Sequence, residues 1–360
     1  MNRQWTPAEA REWYKKYPWI RGCNFIGSDC CSRIDMWQSY HSDEHLLTAD
    51  NELALAEKLG FNTIRLLIEF DVWAQEHDSF MTIFESYISL AAKHKITVLP
   101  VLANEAVISR GEFRFKPLGE QKYYLGYHQG RLPLTPEQSA QNPVHPLEVV
   151  PYRTQYLQMV TEIVKKYADD TRILAWDVYN EPGIILKERS RPLIRLLFDT
   201  VRACDPSQPL MADIFRPIKC DEVTDETDRL SLSLSDVISF HGYWPYEKLL
   251  PMIEVLKKEE RPIFMTEWLN RIMNNTVKEI YPLLYLENIA CWCWGFVLGK
   301  TQTNEPWDSL WLQYENGTHP EYDFTKWMHD LYRPGFHPYD PHEIELIRQY
   351  NDLADRRRKP

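Results

Sequence analysis

The sequence predicts an α/β fold, a single (β/α)8 TIM barrel spanning residues 1–360, and three observations carry that expectation. Eight short apolar segments read as strands: 22–27, 63–68, 97–102, 173–180, 210–215, 237–243, 262–268 and 290–296. Stretches with helical periodicity fill most of the gaps between them. Neither a GxGxxG turn nor a Walker loop occurs. Continuous apolar strands alternating with amphipathic helices imply a parallel sheet covered on both faces. Eight repeats without a nucleotide loop favour closure over an open, doubly wound sheet.

The elements follow in order. Thr6-Pro7-Ala8-Glu9 is a capping box with proline at the first helical position. It predicts a helix over 6–17 that carries Trp13 toward Trp19 and lids the bottom of the fold. Leu53, Ala56 and Leu59 make a weak stripe that Gly60 stops. Phe80, Ile83, Phe84, Tyr87, Ile88 and Ala91 fall at i, i+3, i+4, i+7, i+8 and i+11, and Tyr156, Met159, Val160, Ile163, Val164 and Tyr167 repeat that spacing. Each set is one buried stripe. Weaker stripes are Leu193/Leu196/Leu197/Val201, Leu249/Met252/Ile253/Leu256 and Val277/Ile280/Leu284. The interval 217–235 has no clean stripe, so the fifth helix is expected to be short or irregular. The longest irregular stretch, 104–151, follows the third strand. A loop that long is usually functional or disordered. On a barrel it would stand over the active-site face as a wall of the pocket, with a tolerated surface insertion as the competing reading. The basic tail 355–360, with Arg356, Arg357, Arg358 and Lys359, reads as solvated.

Composition narrows the function. A net charge of −11 makes the chain a poor ligand for nucleic acid. No apolar run is long enough to span a membrane. Residues 1–17 contain no apolar signal core, so a cytoplasmic location is expected, or a secreted or periplasmic one if a leader has been removed. The seven cysteines show no CxxC spacing, which suggests reduced, buried thiols. No HExxH occurs among the eleven histidines, and neither a metal nor a cofactor is expected. Thirteen Trp and twenty Tyr would serve a core or the stacking of sugar faces equally well. Oligomeric state is not legible.

Barrel active sites sit at the C-terminal ends of the strands. The polar residues there are Asn24, Arg65, Asn104 and Glu105, Asn180 and Glu181, Asp213, His241 and Tyr243, Glu267 and Trp294. Glu181 ends the fourth strand in Trp176-Asp177-Val178-Tyr179-Asn180-Glu181-Pro182, where Pro182 must stop the ladder. Glu267 ends the seventh in Phe264-Met265-Thr266-Glu267-Trp268. Strands four and seven lie on opposing parts of the rim, so two carboxylates can face each other across the mouth. Glycoside hydrolysis needs that pair: one carboxyl protonates the leaving oxygen, and the other attacks or activates water.

Asn180-Glu181-Pro182 after a fourth strand, with a glutamate closing the seventh, resembles glycoside hydrolase clan A, most of all family 5. Arg65 matches that family's arginine on strand two, His241-Gly242-Tyr243 its His-x-Tyr on strand six, and Trp294 its tryptophan on strand eight. Residues 299–303 and Trp307-Asp308-Ser309, with 21–26, are similar to a bacterial subgroup labelled as cellulase or xylanase relatives. The resemblance implies a retaining β-glycosidase acting on a gluco-, manno- or xylo-configured saccharide, so a carbohydrate substrate is the expected partner. Glu267 would be the nucleophile, kept ionised by Arg65 and Tyr243. Glu181 would be the acid and then the base. Asn180 would bind the sugar 2-OH, His241 would bind nearby or orient Glu181, and Trp294 would be the floor beneath the sugar.

This chain departs from the family's pattern at strand three. Val101-Leu102-Ala103-Asn104-Glu105 lacks the histidine found there, and Asn104 or Glu105 is the candidate replacement. Lys300 and Gln302 are further candidates for sugar hydroxyls, and Trp37, Trp244, Trp268, Trp307 and Trp311 for outer subsites. Glu69 and Asp71 are rival rim carboxylates ranked as binding or structural. Two other readings stay open: a carbohydrate-binding barrel without catalysis, and a clan A enzyme of different specificity, such as a galactosidase or arabinosidase.

Overall fold

The computed structural model describes residues 3–106, 108–218 and 222–357. Eight parallel strands close into a barrel: β1 (Arg21–Asn24), β2 (Thr63–Leu67), β3 (Thr97–Val101), β4 (Trp176–Tyr179), β5 (Leu210–Ile214), β6 (Ile238–His241), β7 (Ile263–Trp268) and β8 (Ala290–Cys293). Each strand pairs with its sequence neighbours, and β1 pairs with β8 to complete the ring. All eight expected strands are present: seven are trimmed at one or both ends, and β1 is shifted, starting at Arg21 and stopping at Asn24. Closure needs close backbone approach at Gly22, where a Cβ would lie 1.8 Å from the carbonyl oxygen of Thr63. Only glycine fits there.

Three register shifts fall on the strands that carry the candidate site. They lie between Asp177 and Tyr179 on β4, between Phe240 and His241 on β6, and between Cys291 and Cys293 on β8 where it meets β7. Such irregularities re-aim side chains at barrel rims.

The two long stripes bury as expected, in the helices His77–Lys93 and Val150–Lys166. The fifth helix is short, Glu226–Leu234, and starts where the Asp225 carboxylate accepts from Thr227 and Asp228 amides. A final helix, Pro341–Arg356, has no counterpart among the sequence stripes. Asn351 ties it to the barrel wall, accepting from Tyr281 Oη at 2.7 Å and donating to the Leu59 carbonyl at 2.8 Å. Asp355 and Arg356 therefore belong to a helix rather than to a solvated tail, and the Asp355 carboxylate holds the buried Arg21 guanidinium at 2.8 Å. Arg358 and Lys359 lie outside the described residues.

The N-terminal helix runs Pro7–Tyr14 with both halves of its capping box formed. It plugs the bottom of the barrel, where Trp13 packs with Leu99, Leu174, Met211, Phe264 and Trp292. Trp13 does not reach Trp19, which packs instead on Tyr281 and Tyr285 at 5.0 and 5.3 Å. Five of the six described cysteines are buried, all six are free, and Cys220 lies outside the described residues. Among the described residues no helix is long and apolar enough to cross a membrane.

Trp13→Ala should cost about 3–5 kcal/mol of unfolding free energy in chemical denaturation. A loss under about 1 kcal/mol would mean that the helix does not close the barrel floor.

Candidate active site

Arg65 projects from β2 into the barrel with no solvent exposure. All five of its N–H groups donate. Nε reaches Asp177 Oδ2 at 2.9 Å, Nη1 reaches Asn24 Oδ1 at 2.8 Å and Glu267 Oε1 at 2.9 Å, and Nη2 reaches Asn180 Oδ1 at 2.6 Å and Asp213 Oδ2 at 2.9 Å. One planar cation thus ties together residues from β1, β4, β5 and β7. Burial lowers the pKa of this guanidinium, but Asp177, Asp213 and Glu267 together outweigh burial and raise it.

The carboxylates around it divide by environment. Burial, with the adjacent charge of Asp213, pushes Asp177 up to about 8. Asp213 is equally buried, yet His241 and Arg65 hold it well below the carboxylate range. Ser239 and Thr266 hydroxyls also donate to Asp213, the latter at 2.9 Å. Asp177 therefore keeps its proton near neutral pH, and the interior carries fewer anions than a residue count suggests.

Glu267 ends β7 with both oxygens engaged. Oε1 accepts from Arg65, and Oε2 accepts from Tyr243 Oη at 2.8 Å. Burial nevertheless raises its pKa, aided by the charge of Glu181 and opposed by His241, Arg65 and Tyr243. Arg65 and Tyr243 favour the ionised form, as expected, but they act against a larger desolvation.

Glu181 follows β4 with φ 47°, in the left-handed region, where a side chain costs about 1–2 kcal/mol. The turn into Pro182 lifts its carboxyl to the cavity. Oε1 faces His241 Nδ1 at 2.8 Å, and Glu181 lines the cavity. Burial opposes a charge on His241, but Glu267 and Asp213 overcome it and push its pKa well above the usual histidine range. His241 also approaches Asp213 Oδ2 at 3.3 Å through Nε2 and Glu267 Oε2 at 3.4 Å through Nδ1. One carboxylate oxygen each of Glu181 and Glu267 and a ring nitrogen of His241 lie within 4.8 Å of one another. Such a triad could hold a cation in outline, but a protonated imidazole has no lone pair to offer one.

The two carboxylates open onto a cavity of ≈ 490 Å³. Of the expected binding residues, Asn180, His241, Tyr243, Trp294 and Asn104 line it. Asn104 stands where the family's pattern has histidine. Its Oδ1 accepts from Asn180 Nδ2 at 2.9 Å, so it orients Asn180. His128 and Gln129, from the interval 104–151, also line the cavity. Trp244 and Trp307 reach it as well.

Other expected site residues lie elsewhere. Glu105 is fully buried behind the rim, where it accepts from Ser190 Oγ at 2.9 Å and from Tyr179 Oη at 3.4 Å. It fixes the segment after β4 rather than a sugar. Gln302 clamps the long loop, accepting from the Gly126 amide at 2.8 Å and donating to the Tyr124 carbonyl at 2.7 Å. Lys300 does not line the cavity and sits near the Cys31 thiol, whose pKa it helps to lower against burial. Trp37 and Trp268 are core residues at 0 and 1 % exposure. Trp311 is exposed and stacks on Phe324 at 3.8 Å. Glu69 is paired with Lys116 at 2.9 Å, which also holds Asp71 at 3.2 Å.

Sequence reasoning did not assign Asp177 a role, nor Asp213 and Asn24 beyond their strand-end positions. A charged residue inside an otherwise apolar, inward-facing strand was the available signal.

No family profile and no curated protein sequence matches this chain. Solved structures share its fold at low identity. The GH5_18 protein of Streptomyces cattleya, in complex with Manb1-4GlcNAc, is 13% identical with a TM-score of 0.58, over 96% of this chain and 82% of that one. A glycoside hydrolase family 5 mannosidase of Rhizomucor miehei is 10% identical with a TM-score of 0.54, over 94% of both chains. A β-1,4-mannanase of the sea hare Aplysia kurodai is 13% identical with a TM-score of 0.54, over 76% of this chain and 87% of that one.

Carboxyl-labelled NMR titration should find Glu267 above the ordinary glutamate range. Removing a donor to its anion in Tyr243→Phe should move it higher still. An unchanged titration would mean that Tyr243 does not hold the charge.

Proposed function

We propose that the chain is a retaining β-glycosidase that works through a covalent glycosyl-enzyme on Glu267, with Glu181 as acid and then base. The single observation that carries this reading is that one carboxylate oxygen of Glu181 and one of Glu267 come within 4.8 Å of each other, with no gap held open for a water between the two groups. Retaining enzymes place their carboxyl groups about 5–5.5 Å apart, whereas inverting ones leave about 6.5–9.5 Å for a water between them.

The environments support the division of roles. Glu267 is clamped at both oxygens and points at one face of the cavity mouth. Glu181 has one oxygen without a hydrogen-bond partner among the described residues, a side chain 15% exposed, and an imidazole on its other oxygen. In the first step Glu267 attacks the anomeric carbon, the bond to the leaving oxygen breaks, and that oxygen takes the proton of Glu181. In the second, Glu181 takes a proton from water, whose oxygen displaces Glu267. Arg65 and Tyr243 stabilise Glu267 as the leaving carboxylate, and His241 supports the anionic form of Glu181 between the steps. Asn180 faces the cavity beside both carboxylates, where a 2-OH would lie, and Trp294 offers an apolar face for the ring. The sugar is gluco-, manno- or xylo-configured, and the proteins that share the fold put β-mannosides first among candidates to assay.

Glu267→Ala should lower turnover of an aryl β-glycoside by at least ~10³-fold. Azide should restore turnover and yield the α-glycosyl azide, because the small anion enters the space that the carboxylate left. Wild-type turnover in the variant would remove Glu267 from the mechanism. Oligosaccharide binding by the wild type without any hydrolysis would favour a non-catalytic carbohydrate-binding barrel.

A further inference from the structure

Behind Trp294 lies a second, smaller cavity of ≈ 70 Å³, and Arg33, Leu67, Gln129 and Trp294 line it in common with the main one. It sits on the β1 and β8 side of the rim, among Asn24, Phe25, Phe296 and Thr303. Glu181 stands on β4, across the mouth. A sugar with its leaving group at Glu181 and its anomeric carbon at Glu267 would turn its far edge toward this recess.

Two arginines, Arg33 and Arg131, line it. Arg33 Nε has a distant carboxylate partner, Glu69 Oε2 at 3.5 Å. Arg131 has no hydrogen-bonded or ion-paired partner for its guanidinium among the described residues. Glu69, whose charge reaches it, is already held by Lys116 as well as Arg33. Burial, and then the like charge of Arg33, pull Arg131 down to about 10. Asp71, the other carboxylate of this group, is pushed up to about 7 by burial and by Glu69. Three cations, Arg33, Arg131 and Lys116, therefore face the full carboxylate of Glu69, the half-protonated Asp71 and, in the wall itself, Asp330, which burial pushes up to about 6. The Asp330 carboxylate, also in the wall, accepts from Thr303 Oγ1 at 2.8 Å.

The surplus is held on a fixed backbone. Gly130 has φ 61°, and a Cβ there would lie 2.9 Å from the Lys300 carbonyl oxygen, so the loop before Arg131 presses directly on the loop after β8. Gln302 clamps the same loop from Gly126 to Tyr124. An unpaired, half-buried guanidinium is costly for a fold, and in a chain of net charge −11 free carboxylates are plentiful. A rigid cationic recess beside the catalytic carboxylates suits a ligand that brings its own negative charge. At ~10–15 Å³ for each water-sized group, ≈ 70 Å³ takes a carboxylate or phosphate but not another pyranose ring.

We propose that the glycone carries an anionic substituent, a carboxylate or a phosphate on the edge remote from the anomeric carbon, bound by Arg131 and Arg33 behind Trp294. The inference rests on the glycosidase reading for the orientation of the sugar.

The test compares aryl β-glucosides and β-mannosides with the matching β-glucuronide and 6-phospho-β-glycosides, alongside calorimetric binding of glucose, glucuronate and glucose 6-phosphate. One anionic class should exceed its neutral counterpart in kcat/KM about 10- to 100-fold, and which class does so distinguishes carboxylate from phosphate. Arg131→Gln should collapse that ratio toward one, mainly through KM, and Arg131→Lys should recover part of it. Equal or better use of neutral glycosides by the wild type overturns the inference and leaves the glycosidase reading standing. A ratio unaltered in Arg131→Gln also overturns it. If no glycoside is hydrolysed, the glycosidase reading fails, and the binding arm decides: anionic sugars binding no tighter than glucose reject the recess as an anion site. That arm uses the wild type, so it decides even if the variants fail to fold.

Discussion

The buried guanidinium of Arg65 is the constraint on which the rest of the site depends. It cannot shed its proton and has no water to donate to, so each of its five N–H groups must find an acceptor on the barrel's inner wall. Asn24, Asp177, Asn180, Asp213 and Glu267 supply them, and each is thereby fixed in place. Removing the cation would leave buried carboxylates unpaired, a change that typically costs about 3–5 kcal/mol. The cluster that stabilises the upper barrel is the same one that aims Glu267.

Charge balance explains how so many ionisable groups coexist there. Arg65 and His241 are cationic, Asp213 and Glu267 are their anionic partners, and Asp177 relieves the excess by holding a proton. His241 is the hinge of this arrangement, since it faces Glu181, Glu267 and Asp213 at once. A group in contact with both carboxylates is placed to respond to a change of charge on either one. The left-handed backbone at Glu181 fits the same picture: local strain is tolerated where it presents a carboxyl to the cavity.

Most of the fold was legible because strand and helix periods differ and eight alternations leave little choice of architecture. The short fifth helix was readable as a missing stripe. The helix Pro341–Arg356 was not, because it follows a long excursion after β8 and contacts the barrel through Tyr281 and Leu59, which give no local signal. At the candidate site, strand-end position picked out Arg65, Asn180, Glu181, His241, Tyr243, Glu267 and Trp294, which the fold brings together. It failed beyond the strand ends, where facing is set by tertiary packing. Glu105 turns inward to Ser190, and Gln302 turns back to the loop it clamps. Trp268 was avoidable: strand alternation turns it away from the face that carries its neighbour Glu267. The cationic recess was invisible, because Arg33 and Arg131 are 98 residues apart and meet only in the folded chain.

The central claim is that Glu181 and Glu267 stand at the spacing of a double displacement. The most direct measurement is NMR of the first sugar product released from the aryl β-glycoside that the protein hydrolyses fastest. A β-anomer that appears first and then mutarotates is the result this account predicts. An α-anomer appearing first would contradict it, since Glu267 would then activate water instead of bonding to the sugar.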